Sequence, residues 1–178
     1  MAQDDREGSH EALVRAARAG DRAAFAELYE QFEPVVRGIA VSRVGPDAAQ
    51  DVVHDVFVTV LQMLPALKSP ASFPGWIASI TRNRAIDCLR SRSRRDQAQW
   101  DPIDTDPEDD QRAMAILSLI RELPPAYSET LVLRFVEGMT GPQIAHRVGM
   151  TPASVRVNLC RGMRLLRKKL QLRGEHVG

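Results

Sequence analysis

Several features that would mark an enzyme are missing from the sequence. Among 178 residues there are only two cysteines, Cys88 and Cys160, and neither has the neighbouring cysteines or histidines of a zinc site. No Gly-rich phosphate loop, Gly-x-Ser-x-Gly elbow or His-Glu-x-x-His pair occurs. His54 has no nucleophile or group of metal ligands to act with. The sequence therefore argues against an enzyme and predicts no cofactor, no metal and no small-molecule substrate.

Long hydrophobic runs are also missing. No apolar stretch approaches the roughly 20 residues that a membrane-spanning helix requires. The first residues, Met1–Asp5, lack the basic and apolar pattern of a secretory signal. We therefore expect a cytoplasmic protein with reduced cysteines and no membrane span. Hydrophobic residues still make up 44% of the chain, which is enough to form the core of one ordinary domain or two small ones.

The charges are segregated along the chain, although the formal net charge is only +1. Residues 76–95 contain six arginines and a single acid, and residues 156–173 contain seven bases and no acid. Between them, residues 96–110 contain seven acids and no base. Two basic modules thus flank an acidic connector, and this asymmetry says more about binding partners than the net charge does.

Apolar residues recur at helical spacing, and no convincing run alternates with the period of a β-strand. We predict an all-α fold of two small helical domains, residues 1–95 and 111–178. The acidic residues 96–110 are rich in Asp, Gln and Pro and poor in apolar side chains, which is typical of a flexible linker.

Individual residues predict where the helices begin and end. Asp21 and Asp47 are predicted N-caps. Pro34 is expected to break or kink the helix that follows Asp21, and Pro65 is expected to end the helix that follows Asp47. A basic helix is expected to start near Pro74.

The C-terminal module carries the most informative pattern. Thr140 and Gln143 have the spacing of a capping box before a short helix that ends at Gly149. Thr151 then precedes a second helix whose apolar residues are three or four positions apart. Two helices joined by a tight turn with a glycine predict a helix-turn-helix. In DNA-binding members of this motif, the start of the second helix enters the major groove.

The second helix carries side chains suited to this role, because Arg can pair with guanine, Asn with adenine, and Val can contact the thymine methyl group. Basic residues further along the helix are expected to meet phosphates. A solvated charged face of a helical adaptor is the alternative, but the turn, the caps and the lack of acids favour DNA. The predicted DNA-contacting residues are Thr151, Ser154, Arg156, Val157, Asn158, Arg161 and Arg164.

The arginine-rich helix allows a second contact with nucleic acid. Phe73 and Trp76 lie beside the arginines, and aromatic faces can stack on unpaired bases. Packing in the core is the other interpretation, and it is favoured for Trp76 because buried aromatics are more often core residues.

In this order, the segments resemble the extracytoplasmic-function sigma factors, the smallest class of the sigma-70 family of bacterial initiation factors. The resemblance runs from about Gly20 to Leu170. Residues 47–57, DAAQDVVHDVF, look like the family's polymerase-binding helix. The resemblance implies contacts with the RNA polymerase core by Asp51, His54, Asp55 and Phe57.

The same resemblance divides promoter recognition between the two modules. The run from Phe73 to Arg90 is similar to the segment that melts and reads the minus-ten promoter element. It implies this role for Phe73, Trp76, Arg82, Asn83, Arg84, Asp87 and Arg90. Residues 123–159 look like the domain that reads the minus-thirty-five element. The family also implies an anti-sigma factor as a partner.

Two other interpretations remain open on the sequence. A stand-alone helix-turn-helix regulator would dimerise on a palindromic site and bind DNA tightly without polymerase. A helical adaptor that never touches nucleic acid would show no salt-dependent affinity for DNA.

Overall fold

The computed structural model describes residues 7–93 and 107–172, and neither stretch contains a β-strand. The helices are α1 Glu7–Arg18, α2 Arg22–Val44, α3 Pro46–Met63, α4 Phe73–Ser93, α5 Pro107–Arg121, α6 Pro125–Phe135, α7 Gly141–Val148 and α8 Pro152–Leu172. Two short 3₁₀ turns, Leu64–Ala66 and Pro70–Ser72, join α3 to α4. The all-α prediction is confirmed.

Most of the expected acidic linker, residues 96–106, lies outside the described residues, as do Arg94, Arg95 and Arg173. Helix α5 begins at Pro107, inside the segment that the sequence assigned to the linker. We call α1–α4 the N-terminal unit and α5–α8 the C-terminal unit.

The start of α2 follows the sequence prediction, whereas the start of α3 does not. Asp21 is the N-cap of α2, and its Oδ1 accepts hydrogen bonds from the backbone N–H groups of Ala23 at 2.9 Å and Ala24 at 3.2 Å. The predicted cap at Asp47 is wrong, because Gly45 is the N-cap of α3 and Asp47 lies in its first turn. A carboxylate there is still favourable, since it faces the positive end of the helix dipole.

Pro34 does not break its helix. Helix α2 runs from Arg22 to Val44 with Pro34 inside it, although proline has no N–H to donate to the preceding turn. Phe32 and Val35, on either side of the proline, are both 0% exposed. Burial of both halves of α2 against the same core outweighs the loss of one backbone hydrogen bond.

One continuous hydrophobic core runs through both units. In the N-terminal unit it is built around α2, and in the C-terminal unit around α6 and α7. Its largest fully buried side chains include Phe32, Ile39, Phe73, Ile77, Leu119, Leu131, Leu133 and Ile144. The two units therefore pack directly against each other.

The helix-turn-helix is formed by α7 and α8, and its predicted caps are confirmed. The backbone N–H of Thr140 donates to Gln143 Oε1 at 2.9 Å, and the N–H of Gln143 donates to Thr140 Oγ1 at 3.4 Å. Gly149 ends α7 with a left-handed φ of 68°, a conformation that side chains with a Cβ disfavour. The N–H of Ser154 then donates to Thr151 Oγ1 at 3.1 Å at the start of α8.

The surfaces at which the two units meet include glycines that allow close approach. A Cβ atom on Gly38 of α2 would lie 2.6 Å from Leu133 Cδ2 of α6. A Cβ atom on Gly149 would lie 2.9 Å from the Cα of Gly75, near the start of α4. The turn of the helix-turn-helix therefore lies directly on the first turn of the arginine-rich helix.

Candidate nucleic-acid interface

The start of α8 presents most of its predicted DNA-contacting residues to solvent. Val155 is 1% exposed and Leu166 is 5% exposed, and this inward stripe fixes which face of the helix points outwards. Asn158 is half-buried at the edge of the stripe. The exposed residues are Thr151, Ser154, Arg156, Val157, Arg161 and Arg164.

The outward face of α8 is strongly positive. Between Pro152 and Leu172 the helix has six bases and no acid. Lys169 Nζ lies 2.6 Å from Glu122 Oε2, whereas Arg167 and Lys168 are exposed. The bases continue beyond the first turns, where a helix lying in the major groove would meet the phosphate backbone.

Part of the predicted minus-ten surface on α4 is also exposed. Asn83, Arg84, Asp87 and Arg90 all lie on the surface. Arg84 Nη2 donates to Thr59 Oγ1 of α3 at 2.9 Å. Asp87 Oδ1 lies 3.7 Å from Arg90 Nη1. These four residues line the solvent side of one helix.

The two predicted aromatic residues of this surface pack inwards. Phe73 is 0% exposed, and its ring meets that of Phe32 edge-on with 4.9 Å between centroids. Trp76 is half-buried, with its ring 5.9 Å from that of Phe73. The packing interpretation agrees with the position of Trp76. The ring of Phe73 is a core element here and is not accessible to a DNA base.

Arg82 forms an ion pair with Glu129, an acid that the sequence analysis did not single out. Its Nε donates to Glu129 Oε2 at 3.0 Å, and its Nη2 donates to Glu129 Oε1 at 2.7 Å. Glu129 lies on α6 and is 4% exposed. Hydrogen bonding to Glu129 raises the pKa of the Arg82 guanidinium above its usual range. Arg43 Nη2 of α2 lies 3.6 Å from the same carboxylate.

A second buried acid bridges the units in the same way. The Nε of Arg37 in α2 donates to Glu137 Oε1 at 3.2 Å, and its Nη2 donates to Oε2 at 2.6 Å. Its Nη1 donates to Glu33 Oε1 at 2.8 Å within α2. The hydrogen bond to Glu137, which follows α6, raises the pKa of Arg37. The partners are 47 residues apart for Arg82 and Glu129 and 100 residues apart for Arg37 and Glu137, so only the fold reveals these pairs.

The predicted polymerase-binding residues on α3 divide between two faces. Asp51, His54 and Asp55 are exposed on one side of the helix. Phe57 is 5% exposed and packs against the ring of Tyr29 with 4.3 Å between centroids. Phe57 belongs to the helix face that packs on α2, so in this arrangement it supports the exposed face from behind.

Helix α3 also exposes apolar residues that the sequence analysis did not single out. Val58 is 43% exposed, Leu61 58% and Met63 48%. Asp51, Asp55 and Val58 are four and three positions apart, so they share one stripe of the helix. The face therefore combines carboxylates with exposed aliphatic side chains, a composition suited to binding another protein.

The described residues contain no cluster of metal-ligating side chains and no membrane-spanning helix. Within residues 7–93 and 107–172, no three His, Cys, Asp or Glu side chains are grouped to hold a metal ion. No helix within these ranges is long and apolar enough to cross a membrane. One cleft lies between the units and is lined by residues that include His10, Trp76 and His146.

Two family models match the chain, Sigma-70 region 2 over residues 28–95 and Sigma-70, region 4 over residues 113–166. The ECF RNA polymerase sigma factor RpoE of Cereibacter sphaeroides is 30% identical over 171 residues, which are 89% of this chain and 93% of that protein. The probable RNA polymerase sigma factor RfaY of Xanthomonas campestris pv. campestris is 32% identical over 175 residues, 90% of this chain. The chain spans 44% of the length of RfaY and 64% of BldN of Streptomyces coelicolor.

Solved structures share the fold. CnrH, in complex with the cytosolic domain of CnrY, aligns with a TM-score of 0.62 at 22% identity, over 92% of this chain and 98% of that one. The sigma factor RpoE from Bartonella quintana, in complex with the anti-sigma factor NepR, aligns with a TM-score of 0.54 at 20% identity, over 82% and 95%.

The two matched regions place the chain in the sigma-70 class. Within that class, the chain belongs to the extracytoplasmic-function sigma factors. The resemblance inferred from the sequence is confirmed.

Proposed function

We propose that this chain directs core RNA polymerase to specific promoters and starts transcription there, as a sigma factor. One observation carries the proposal. The exposed start of α8 presents Arg156 and Val157 in a helix-turn-helix whose second helix has no acid between Pro152 and Leu172.

The C-terminal unit, within residues 111–178, would read the minus-thirty-five element. With α8 in the major groove, Arg156 and Asn158 have the donors and acceptors to read guanine and adenine. Thr151 and Ser154 would approach the backbone at the edge of the groove. Arg161 and Arg164 lie further along the helix, where phosphate contacts would add affinity without selecting sequence.

The N-terminal unit, within residues 1–95, would hold the melted minus-ten element. Asn83, Asp87 and Arg90 are spaced four and three residues apart along the solvent side of α4, with Arg84 beside them. Arginines there can neutralise the backbone of an unpaired strand, and a pocket can offset the stacking that an extruded base loses. Binding the open strand in preference to the duplex is enough to drive melting, so the proposal requires no catalytic residue.

The acidic and apolar face of α3 would bind the polymerase core. Because Asp55 is exposed, Asp55→Ala should leave the fold intact and remove one interfacial charge. We expect the Kd for core polymerase to rise about tenfold, equivalent to about 1.4 kcal/mol. Titration of labelled chain with core enzyme measures this.

Glu11→Ala is the control for Asp55→Ala. Like Asp55→Ala, this variant removes a carboxylate from the N-terminal unit. In the unaltered chain, Glu11 Oε2 lies 3.4 Å from Arg15 Nη1 of the same helix. The affinity of Glu11→Ala for core polymerase should match that of the wild-type chain. Equal affinities for wild type and Asp55→Ala would show that this face of α3 does not bind the core.

Run-off transcription tests the function as a whole. Core polymerase is assayed on a promoter library with and without the full chain, and we expect specific transcripts only with it. A stand-alone regulator would bind DNA tightly without polymerase and would not make core enzyme initiate. A helical adaptor would have no salt-dependent affinity for DNA.

We also propose an anti-sigma factor as a partner, acting where polymerase and chromosome meet, in the cytoplasm. The exposed side chains of Val58 and Leu61, beside the carboxylate of Asp55, support a protein partner for α3, because exposed apolar surface favours protein contacts. An inhibitor on this face would compete with core polymerase. Affinity capture from the source bacterium, repeated in the presence of excess core enzyme, tests for a partner that core displaces.

A further inference from the structure

One line of residues on α8 points directly away from the protein core. On the opposite side of the helix, Val155 is 1% exposed and Gly162 is buried. A Cβ atom on Gly162 would lie 3.0 Å from Leu131 Cδ1 of α6, so the two helices are closely packed and the rotation of α8 about its own axis is fixed. This packing determines which side chains point outwards.

The outward line changes in character along its length. Its members are three or four positions apart and all exposed, and they are Ala153, Val157, Arg161, Arg164 and Lys168. The last three are bases. The first two lie in the opening turns of α8 and are apolar, and Val157 is 43% exposed. The start of the outward line therefore has no side chain that can form a hydrogen bond.

The opening turns of a recognition helix are the part that comes closest to base edges. In the major groove, these edges carry hydrogen-bonding groups in every base pair and one apolar substituent, the C5 methyl group of thymine. A valine placed against a purine edge would remove polar atoms from water without replacing their hydrogen bonds. An apolar pair at this point therefore fits a methyl group and fits the other base edges poorly.

We propose that Val157 reads the C5 methyl group of a pyrimidine in the minus-thirty-five element, which is thymine in unmodified DNA. The inference rests on the proposed function and adds to it the chemical group that the opening turns of α8 select. Ala153, one turn earlier, leaves the clearance that lets Val157 reach the floor of the groove, because its side chain is a single methyl group.

Val157 is suited to this contact because its side chain is rigid. A β-branched residue within a helix is restricted to essentially one χ1 rotamer, so it loses little conformational entropy on binding. The neighbouring hydroxyls have partners within the helix cap. Ser154 Oγ lies 2.8 Å from Thr151 Oγ1, and the Ser154 N–H donates to the same oxygen. The polar side chains at this end thus hold the start of the helix, and the apolar ones face outwards.

The same contact would distinguish methylated from unmodified cytosine. In 5-methylcytosine the methyl group occupies the ring position that it has in thymine, whereas cytosine has only a hydrogen there. Burial of one methyl group should strengthen binding about fourfold. At the position that Val157 contacts, thymine should therefore be preferred over uracil, and methylated over unmodified cytosine, by about this factor.

Base analogues test the contact one methyl group at a time. The full chain is assembled with core polymerase, and its preferred minus-thirty-five sequence is selected from a library of randomised duplexes. Each thymine of that sequence, on either strand, is then replaced by uracil, which lacks only the methyl group. We expect replacement at one position to raise the Kd about fourfold.

Val157→Ala should remove this difference. The variant should keep its helix, because alanine is the better helix former and Val157 is 43% exposed, and circular dichroism checks this. At the position found with the unaltered chain, the variant should bind thymine and uracil equally. It should likewise bind cytosine and methylated cytosine equally.

Leu172→Ala is the matched control. This variant also removes an exposed aliphatic side chain from α8, since Leu172 is 78% exposed. The site is about 22 Å from Val157 along the helix, at about 1.5 Å per residue. The preference for thymine over uracil should persist in Leu172→Ala.

Three results would overturn the proposal. The first is equal binding of thymine and uracil at every position by the unaltered chain. The second is a methyl preference that survives in Val157→Ala, because another residue would then read the methyl group. The third is a preferred element that contains no A·T pair.

The promoter role and the methyl contact fail separately. Selection and analogue scan are repeated with the full chain alone at low salt, where contacts with phosphates strengthen binding. If the chain does not make core polymerase initiate, a methyl preference of the chain alone that disappears in Val157→Ala supports the contact and refutes the promoter role. Polymerase-dependent transcription with equal binding of thymine and uracil refutes the contact alone, and failure of both readouts refutes both proposals.

Discussion

Phe32→Ala is expected to lower the free energy of unfolding by about 3–5 kcal/mol, the range for removing a fully buried phenylalanine ring. Phe32 is 0% exposed, and its ring packs edge-on against Phe73 at 4.9 Å. Arg147 of α7 lies over the same ring, 4.7 Å from its centroid. The ring therefore joins both units, and its loss removes a large part of a typical total stability of about 5–15 kcal/mol.

Urea unfolding followed by circular dichroism measures the change. Phe32→Leu keeps most of the buried volume and should lose less than half as much. Leu61→Ala is the control, because Leu61 is 58% exposed and exposed substitutions usually stay within about 0.5 kcal/mol. A loss under about 1 kcal/mol for Phe32→Ala would mean that the ring does not hold the core together.

The two helices of the helix-turn-helix, α7 and α8, could be predicted almost completely from local sequence. Thr140, Gln143 and Gly149 act on backbone groups only a few residues away, so their spacing alone determines the caps and the turn. The periodicity of α8 likewise fixes its buried stripe, and with it the exposure of Arg156. Local chemistry and tertiary structure agree in this part of the chain.

The N-terminal unit shows where local rules are overridden. Pro34 lacks an N–H, but α2 continues through it because Phe32 and Val35 on either side are buried in the core. Asp47 satisfies the composition of an N-cap, yet the chain enters α3 through Gly45 and Pro46. In both cases a contact or connection that the local pattern does not encode changes the result.

The exposure of a candidate site residue could be predicted where it depends on the position in the helix alone. It could not be predicted where a partner distant in sequence covers the residue. Asp51, Asp55 and Arg84 are exposed, as their helical positions predict. Arg82 is paired with Glu129 in this structure, and the two residues are 47 positions apart along the chain. No spacing rule links residues so far apart, so this ion pair becomes visible only in three dimensions.

In the fold, the arginine-rich stretch also contributes an ion pair between the two units. The sequence suggested that the arginines of residues 76–95 face nucleic acid. In this structure, Arg82 instead pairs with Glu129 of the C-terminal unit. A guanidinium can pair with either kind of group, since carboxylate and phosphate both accept paired hydrogen bonds from it.

Arg156→Ala and Asn158→Ala are expected to relax selectivity for the minus-thirty-five element. Each would remove a side chain able to make two hydrogen bonds to a base, an interaction that discriminates by about 1–3 kcal/mol. We expect preference at one base pair of the element to fall about 10- to 100-fold in each variant, while other positions keep theirs. Transcription by the holoenzyme on promoters with a randomised minus-thirty-five element measures this.

Lys168→Ala separates this effect from a general loss of charge. Lys168 is exposed four helical turns beyond the start of α8, as counted at about 3.6 residues per turn, where it would meet a phosphate. Its loss should weaken binding to all sequences alike and reduce the slope of log affinity against log salt by about one. If Arg156→Ala behaved in the same way as Lys168→Ala, with uniform weakening and unchanged preference, α8 would contact the DNA backbone and would not read the bases.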